Sequence, residues 1–261
     1  MKYCILLTAC VNPNGMSRTI HQDTSTRLYE YLNAIKFYYN STNLPIVICE
    51  NSMCDLSKYF PMMDRNRIEF LTFNGNNYDK NIDKTLREAN IIEYALKNST
   101  LVKKSKFLLK ITGRLQFLNI RQFIYNHKLI SQKNICLMNI VPTEAFCDSR
   151  IFIINKEYLN QFIKLKHYIN EQISLDFERV FMHYINSNIN NCYIQVPLIE
   201  PICNQICGTT GNPYPQGRND SLSKIKYFIS QLIYNIKLTI GYIKNRNRLN
   251  KFANFKKILE I

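Results

Sequence analysis

The sequence predicts an α/β fold, a single domain on a mostly parallel central sheet, followed by a basic amphipathic helical tail. Three observations carry this expectation. Short apolar runs alternate with helical patterns through the first 155 residues, each run closes on polar turn residues, and 46% of the chain is hydrophobic. Alternation of this kind marks parallel strands joined by crossover helices and covered on both faces. At 261 residues the chain has room for one such domain and a short appendage, but not for two independent catalytic domains.

The elements follow in order. Tyr3–Val11 is a continuous apolar run and reads as a buried strand. Asp23–Asn40 is a helix, with Leu28, Tyr31, Leu32 and Ile35 three and four residues apart. Pro45–Cys49 is a strand closing on Glu50-Asn51-Ser52, and Ile68–Phe73 one closing on Asn74-Gly75-Asn76. Asp83–Asn98 is a helix with Leu86, Ala89, Ile92 and Leu96 inward and Asp83 as N-cap. Phe107–Ile111 is a buried strand ending at Thr112-Gly113-Arg114. Beyond Gln116 the pattern changes: Ile135–Val141, Phe146–Ile154 and Cys192–Ile199 read as strands, Lys156–Ile169 and Leu175–Asn186 as helices. The Gly-, Pro- and Asn-rich stretch Gly208–Asp220 reads as a linker, which divides the chain into a domain at 1–207, a linker at 208–220 and a tail at 221–261.

Composition excludes several classes. Seven glycines supply no Gly-rich phosphate loop of the P-loop or dinucleotide-binding kind. The nine cysteines are scattered, and Cys203 and Cys207 lack a second close pair for zinc, so reduced thiols are expected. The four histidines are dispersed and join no triad-like arrangement. The N-terminal apolar run is short and lacks a cleavage site, and no run approaches the roughly 20 apolar residues of a membrane span, so the chain is expected to be cytoplasmic.

The net charge of +15 is concentrated at the C-terminal end, where nine basic residues from Lys224 to Lys257 face Glu260 alone. Such charge suits nucleic acid, anionic lipid or phosphorylated ligands. The body lacks the interleaved aromatic and basic residues of a base-reading module, so no nucleic-acid partner is expected. In the tail, Ile225, Phe228, Ile229, Leu232, Ile233, Ile236 and Ile240 form an apolar stripe flanked by Lys224, Lys226, Lys237 and Lys244. Either this helix packs its stripe on the body, or it lies in an anionic membrane surface. The concentrated charge favours the membrane, with Gly208–Asp220 as hinge.

Ligands of parallel sheets sit at the carboxyl ends of the strands. Thr8–Asn14, Glu50–Ser52, Asn74–Asn77 and Thr112–Arg114 are therefore expected to line one crevice. Over roughly Lys2 to Tyr184, the ordered segments CENS, EFLTFNGNN, IIEYALKNS, KITGR and FCDSRIF resemble small GT-A-type glycosyltransferases of bacterial capsule and lipopolysaccharide O-antigen clusters. The resemblance implies a GT-A-like (Rossmann-like) domain. It implies transfer of a sugar from a nucleotide-sugar donor to a saccharide acceptor, carried on lipid, by a protein peripheral at the inner face of the cytoplasmic membrane. In that class an acid after the second strand, or its neighbour, contacts the base, and a basic residue before the next helix approaches the diphosphate. Thr8, Arg27, Glu50, Asn51, Lys84, Lys110, Arg114 and Arg150 are accordingly the candidate donor-binding residues.

Where the class carries a metal-binding Asp-x-Asp, this chain has Lys110-Ile111-Thr112-Gly113-Arg114. Thr-Gly-Arg offers no carboxylate to a divalent ion, whereas a guanidinium pairs with phosphate oxygens. No cofactor is expected to be required, with Asp148 as ligand should Mg²⁺ or Mn²⁺ be used. Arg114 is otherwise a salt-bridged structural arginine. Asp148 has further readings: hydrogen-bonding a donor sugar, capping a turn, or pairing with Arg150. Inverting members of the class carry an acid near Leu175-Asp176-Phe177-Glu178, which implies Glu178 as general base and Asp176 as helix cap, or the reverse; both acids also simply suit a helix N-terminus. Asp23 with Arg27, and Lys84 with Glu88, are i,i+4 ion pairs or ligand contacts. Two other functions stand beside glycosyl transfer. A nucleotidyl- or phosphotransferase needs clustered carboxylates that the crevice lacks, and a non-catalytic nucleic-acid binder rests on charge alone.

Overall fold

A computed structural model describes residues 2–16, 19–77, 84–130, 135–141, 146–187, 193–203, 205–214 and 220–244. Seven strands, β1 (Tyr3–Ala9), β2 (Ile46–Glu50), β3 (Ile68–Thr72), β4 (Phe107–Thr112), β5 (Ile135–Val141), β6 (Phe146–Asn155) and β7 (Tyr193–Gln195), form one sheet in the order β3-β2-β1-β4-β6-β5-β7. Only β6 runs against its neighbours. The expected α/β fold with a mostly parallel sheet is thus observed.

Side chains alternate across β1, so its apolar run serves two cores. Cys4 and Leu6 face α2 (Lys84–Asn98) and α6 (Phe177–Ser187), packing in one buried cluster with Ala89, Ile92, Phe177 and Phe181. Ile5, Leu7 and Ala9 face α1 (Thr24–Ser41) and α4 (Ile120–Ile130), packing with Tyr31, Ile35 and Phe123. Asp23 caps α1, its carboxylate accepting from the Thr26 amide at 2.7 Å.

Several elements differ from expectation. The helix α4 is absent from the sequence reading; its short stripe of Ile120, Phe123 and Ile124 is buried, and the enclosed His127 bonds the Tyr3 hydroxyl at 3.0 Å. After α3 (Thr100–Lys103), the helix expected to reach Ile169 stops at Ile163 as α5 (Lys156–Ile163), and a 3₁₀ turn follows at Lys166–Tyr168. β7 ends at Gln195, two residues before Pro197, which has no amide hydrogen for the ladder. Asp83 and Cys192 lie outside the described residues. The tail helix is α7 (Ser221–Lys244), within the expected tail; 245–261 lie outside the described residues.

The chain leaves β1 toward β2 and β3 on one side and returns to β4 on the other, so strand order reverses between β1 and β4. A crevice opens at such a switch point, at the carboxyl ends of the strands. Gly113 holds the two ends together: its amide donates to Thr8 O at 2.8 Å, and a Cβ there would stand 2.7 Å from that oxygen.

Candidate active site

A cavity of about 810 Å³ occupies this crevice. Thr8 and Cys10 reach it from the end of β1, Asn51 from β2, and Thr112 and Arg114 from β4. Lys84 and Glu88 approach from the first turns of α2, Asp148 and Arg150 from β6, and Asp176 and Glu178 from the start of α6. Sequence-distant candidates therefore do converge. Glu50 and Lys110 are not among the lining residues.

Glu178 stands apart chemically. Burial pushes its carboxyl up to about 7, and the negative charge of Glu88 adds to the effect. The Ser149 hydroxyl donates to its Oε1 at 2.6 Å and opposes the rise by favouring the ionised form. Asp176 instead caps α6, accepting from the Arg179 amide at 2.9 Å and pairing with the Arg179 guanidinium.

Lys110 is fully buried beneath the cavity floor. Its ammonium donates to Glu88, to Ser149 O at 2.6 Å and to Thr112 Oγ1 at 3.4 Å, which accounts for its three N–H donors. The same lysine thus fixes the segment that carries Ser149. Thr8 Oγ1 lies 3.4 Å from both Glu88 and Ile111 O.

Five further candidates, Glu50, Arg27, Arg114, Asp148 and Arg150, are engaged by the protein itself. Glu50 accepts from the amides of Val11, Ser52 and Cys54 at 3.0, 2.9 and 2.9 Å and ties together the loops after β1 and β2. Arg27 donates to Cys10 O at 3.0 and 2.6 Å and to His21 O at 3.2 Å, so it holds the turn after β1 rather than pairing with Asp23. Arg114 is buried, donates to Ile206 O at 2.9 Å and lies 3.6 Å from the Glu30 carboxylate, which also bonds His21. Asp148 is gripped bidentately by Arg150 at 2.7 and 2.6 Å, and that guanidinium lies 4.3 Å from the centre of the Tyr214 ring. Among the described residues no three carboxylate, imidazole or thiolate groups converge on a point fit for a metal ion.

Two other candidates, Lys84 and Asn51, line the cavity. Lys84 Nζ donates to Thr209 Oγ1 at 2.7 Å, and burial holds its pKa below the usual lysine value against the charge of Glu88. The Asn51 carboxamide is enclosed, with neither its nitrogen nor its oxygen hydrogen-bonded, and so is Thr85 Oγ1. An unpaired enclosed amide is the group that gains most from a ligand partner.

No protein-family model and no curated protein sequence matches the chain. Solved structures that overlay on it include a protein assigned as a nucleotide-diphospho-sugar transferase from Desulfovibrio desulfuricans, at 9% identity and TM-score 0.44, covering 93% of this chain and 99% of that one. The mannosyltransferase Ktr4p from S. cerevisiae, in complex with GDP, overlays at 11% identity and TM-score 0.40, covering 88% and 81%. Residues 1–349 of TarS from S. aureus overlay at 14% and 0.40, covering 74% and 58%.

Several lining residues escaped the sequence reading. Ser149 lies within FCDSRIF but without a role assigned to it, Arg87, Glu171 and Tyr214 stand out by no local pattern, and each matters through a distant partner. Glu171, for example, accepts from the Thr85 amide at 2.9 Å and so steadies the start of α2 from 86 residues away. The segment expected as a linker also contributes: Gly208 O accepts from the Ile20 and His21 amides at 3.0 and 3.3 Å, and Gly208, Thr209 and Tyr214 line the cavity. Residues 215–219 of that segment lie outside the described residues. Just before that segment, burial pushes the Cys207 thiol up, but hydrogen bonds with Thr210 and Thr209 outweigh this and bring it down to about 6. The described cysteines, Cys203 and Cys207 included, are free thiols.

Proposed function

We propose that this protein is a glycosyltransferase that moves a sugar from a nucleotide-sugar donor to a saccharide acceptor, with Glu178 as general base. The observation that carries the reading is Glu178 itself, a cavity-wall carboxyl with a pKa near 7 at the carboxyl ends of a parallel sheet. A base of that pKa is half ionised at neutral pH and accepts a hydroxyl proton with the least penalty.

In the proposed reaction the acceptor hydroxyl oxygen bonds to the anomeric carbon as its proton passes to Glu178, and the bond from that carbon to the nucleoside diphosphate breaks. Ser149 orients the carboxylate. Lys84 faces the departing diphosphate, in keeping with the charge that the leaving group acquires. Asn51, with a free donor and a free acceptor, suits the edge of the base. Arg27, Glu50, Lys110 and Arg114 set the walls on which these groups stand. The acceptor in this reading is a lipid-borne saccharide of bacterial surface-polysaccharide assembly, met at the inner face of the cytoplasmic membrane. Turnover of paired nucleotide sugars and saccharides, read as nucleoside diphosphate release, tests the proposal. Glu178→Gln is expected to retain donor affinity and lose at least about a hundredfold in turnover; near-normal turnover in that variant removes Glu178 from the role.

A further inference from the structure

The outer face of α7 is apolar, and it points away from the protein. Asn235 fastens the helix to the segment after β7, accepting from the Val196 amide at 2.8 Å and donating to Val196 O at 2.9 Å, while the Tyr227 hydroxyl reaches Pro197 O at 3.4 Å. With Tyr227, Gln231, Tyr234 and Leu238, these residues form the less exposed stripe of the helix. At 3.6 residues per turn, Leu222, Ile225, Ile229, Leu232, Ile233 and Ile236 fall on the opposite side. Their exposures run from 41% to 61%, and Phe228 extends the patch. The polar stripe faces the body and the apolar stripe faces outward, the reverse of a helix completing a core.

A contiguous exposed apolar face marks a binding surface. Its flanks identify the occupant. Lys224, Lys226 and Lys237 border it, and the chain beyond Lys244 adds Arg246, Arg248, Lys251, Lys256 and Lys257. No helix among the described residues is long and apolar enough to cross a membrane. We infer that α7 lies in the headgroup region of an anionic bilayer, its Leu and Ile side chains in the acyl boundary and its lysines at the phosphates. The helix is fastened to the catalytic body by Asn235, so the body is held at the bilayer with it. This inference does not depend on the transfer reaction.

Sedimentation of the full-length protein with vesicles tests it, in the absence of any sugar donor. Vesicles of phosphatidylglycerol and phosphatidylcholine are expected to carry the protein down, vesicles of phosphatidylcholine alone to carry little, and added salt to release it. The double variant Ile229→Asp, Leu232→Asp removes two outward apolar side chains without touching the body, and is expected to lower partitioning at least about tenfold. Its far-UV circular dichroism and melting temperature should match the wild type, since both positions are exposed. Equal partitioning of variant and wild type overturns the inference and assigns any binding to the basic residues beyond Lys244. A wild-type dimer by light scattering that the double variant makes monomeric, with no vesicle binding, overturns it in favour of a second copy of the chain.

Discussion

A carboxylate serves as a base near neutrality only if something resists its ionisation, and at Glu178 that resistance is burial reinforced by Glu88. The folded pKa of about 7 lies above the ordinary 4.5, so the native state holds a proton that the unfolded chain has lost. Relative to Glu178→Gln, wild-type stability should therefore fall as pH rises from 4.5 to about 7, and change little above. In the proposed role turnover should run the other way, rising through pH 7 as Glu178 ionises, and the Gln variant should lose that limb. Ser149 gives a sharper test. Its hydroxyl favours the ionised form, so Ser149→Ala should move the limb of the pH–rate profile to higher pH, which a purely structural serine would not do. An unmoved limb would refute the coupling.

At the scale of elements, the site depends on how closely β1 and β4 end. Lys110 threads its ammonium under the floor to Glu88 and Ser149, joining β4 to α2 and β6. Gly113 lets the backbones of the two strands touch. Gly113→Ala sets a methyl group against Thr8 O at 2.7 Å, a contact with main chain that no rotamer relieves. The expected cost is about 1–3 kcal/mol in chemical denaturation, the range for an overpacked site. Because Thr8 and Thr112 line the cavity, donor affinity should fall as well. Unchanged stability and affinity would show that the strand ends separate without consequence.

For the whole molecule, the cavity is closed by parts far apart in the chain, with Arg114 holding Ile206 O and Lys84 holding Thr209. A donor filling it should bind the native state alone. At a hundred times its Kd it adds about 2.7 kcal/mol to the apparent stability, seen as a higher melting temperature. Asp148 is taken up by Arg150, and the metal-free donor site we propose predicts that this stabilisation persists with excess EDTA. A shift that vanishes with chelator and returns with Mn²⁺ would restore a divalent ion to the donor complex and recast Asp148, now clamped by Arg150, as its ligand.

Periodicity and local capping were enough to read much of this protein from its residues. The strand–helix alternation marked the α/β class, and Leu175-Asp176-Phe177-Glu178 marked a helix start with two acids while leaving open which of them caps it; the bond from the Arg179 amide assigns the cap to Asp176. The convergence of Thr8, Asn51 and Arg114 followed from the rule that parallel strands gather ligands at their carboxyl ends, whereas Lys84 and Glu178, at the starts of helices, were expected there only from the resemblance to GT-A-type glycosyltransferases. Which of these side chains face the cavity was decided only in three dimensions. Glu50 is occupied by the Val11 amide, 39 residues away, Lys110 by Ser149 at the same separation, and Arg114 by Ile206 at 92. The tail shows the division most clearly. Its amphipathic spacing is visible in the sequence, yet two opposite stripes of one helix are equally available to a body. The fit of Asn235 to the backbone of Val196 settles which stripe docks, because an amide can satisfy both main-chain groups of Val196, whereas isoleucine in its place would leave them unpaired.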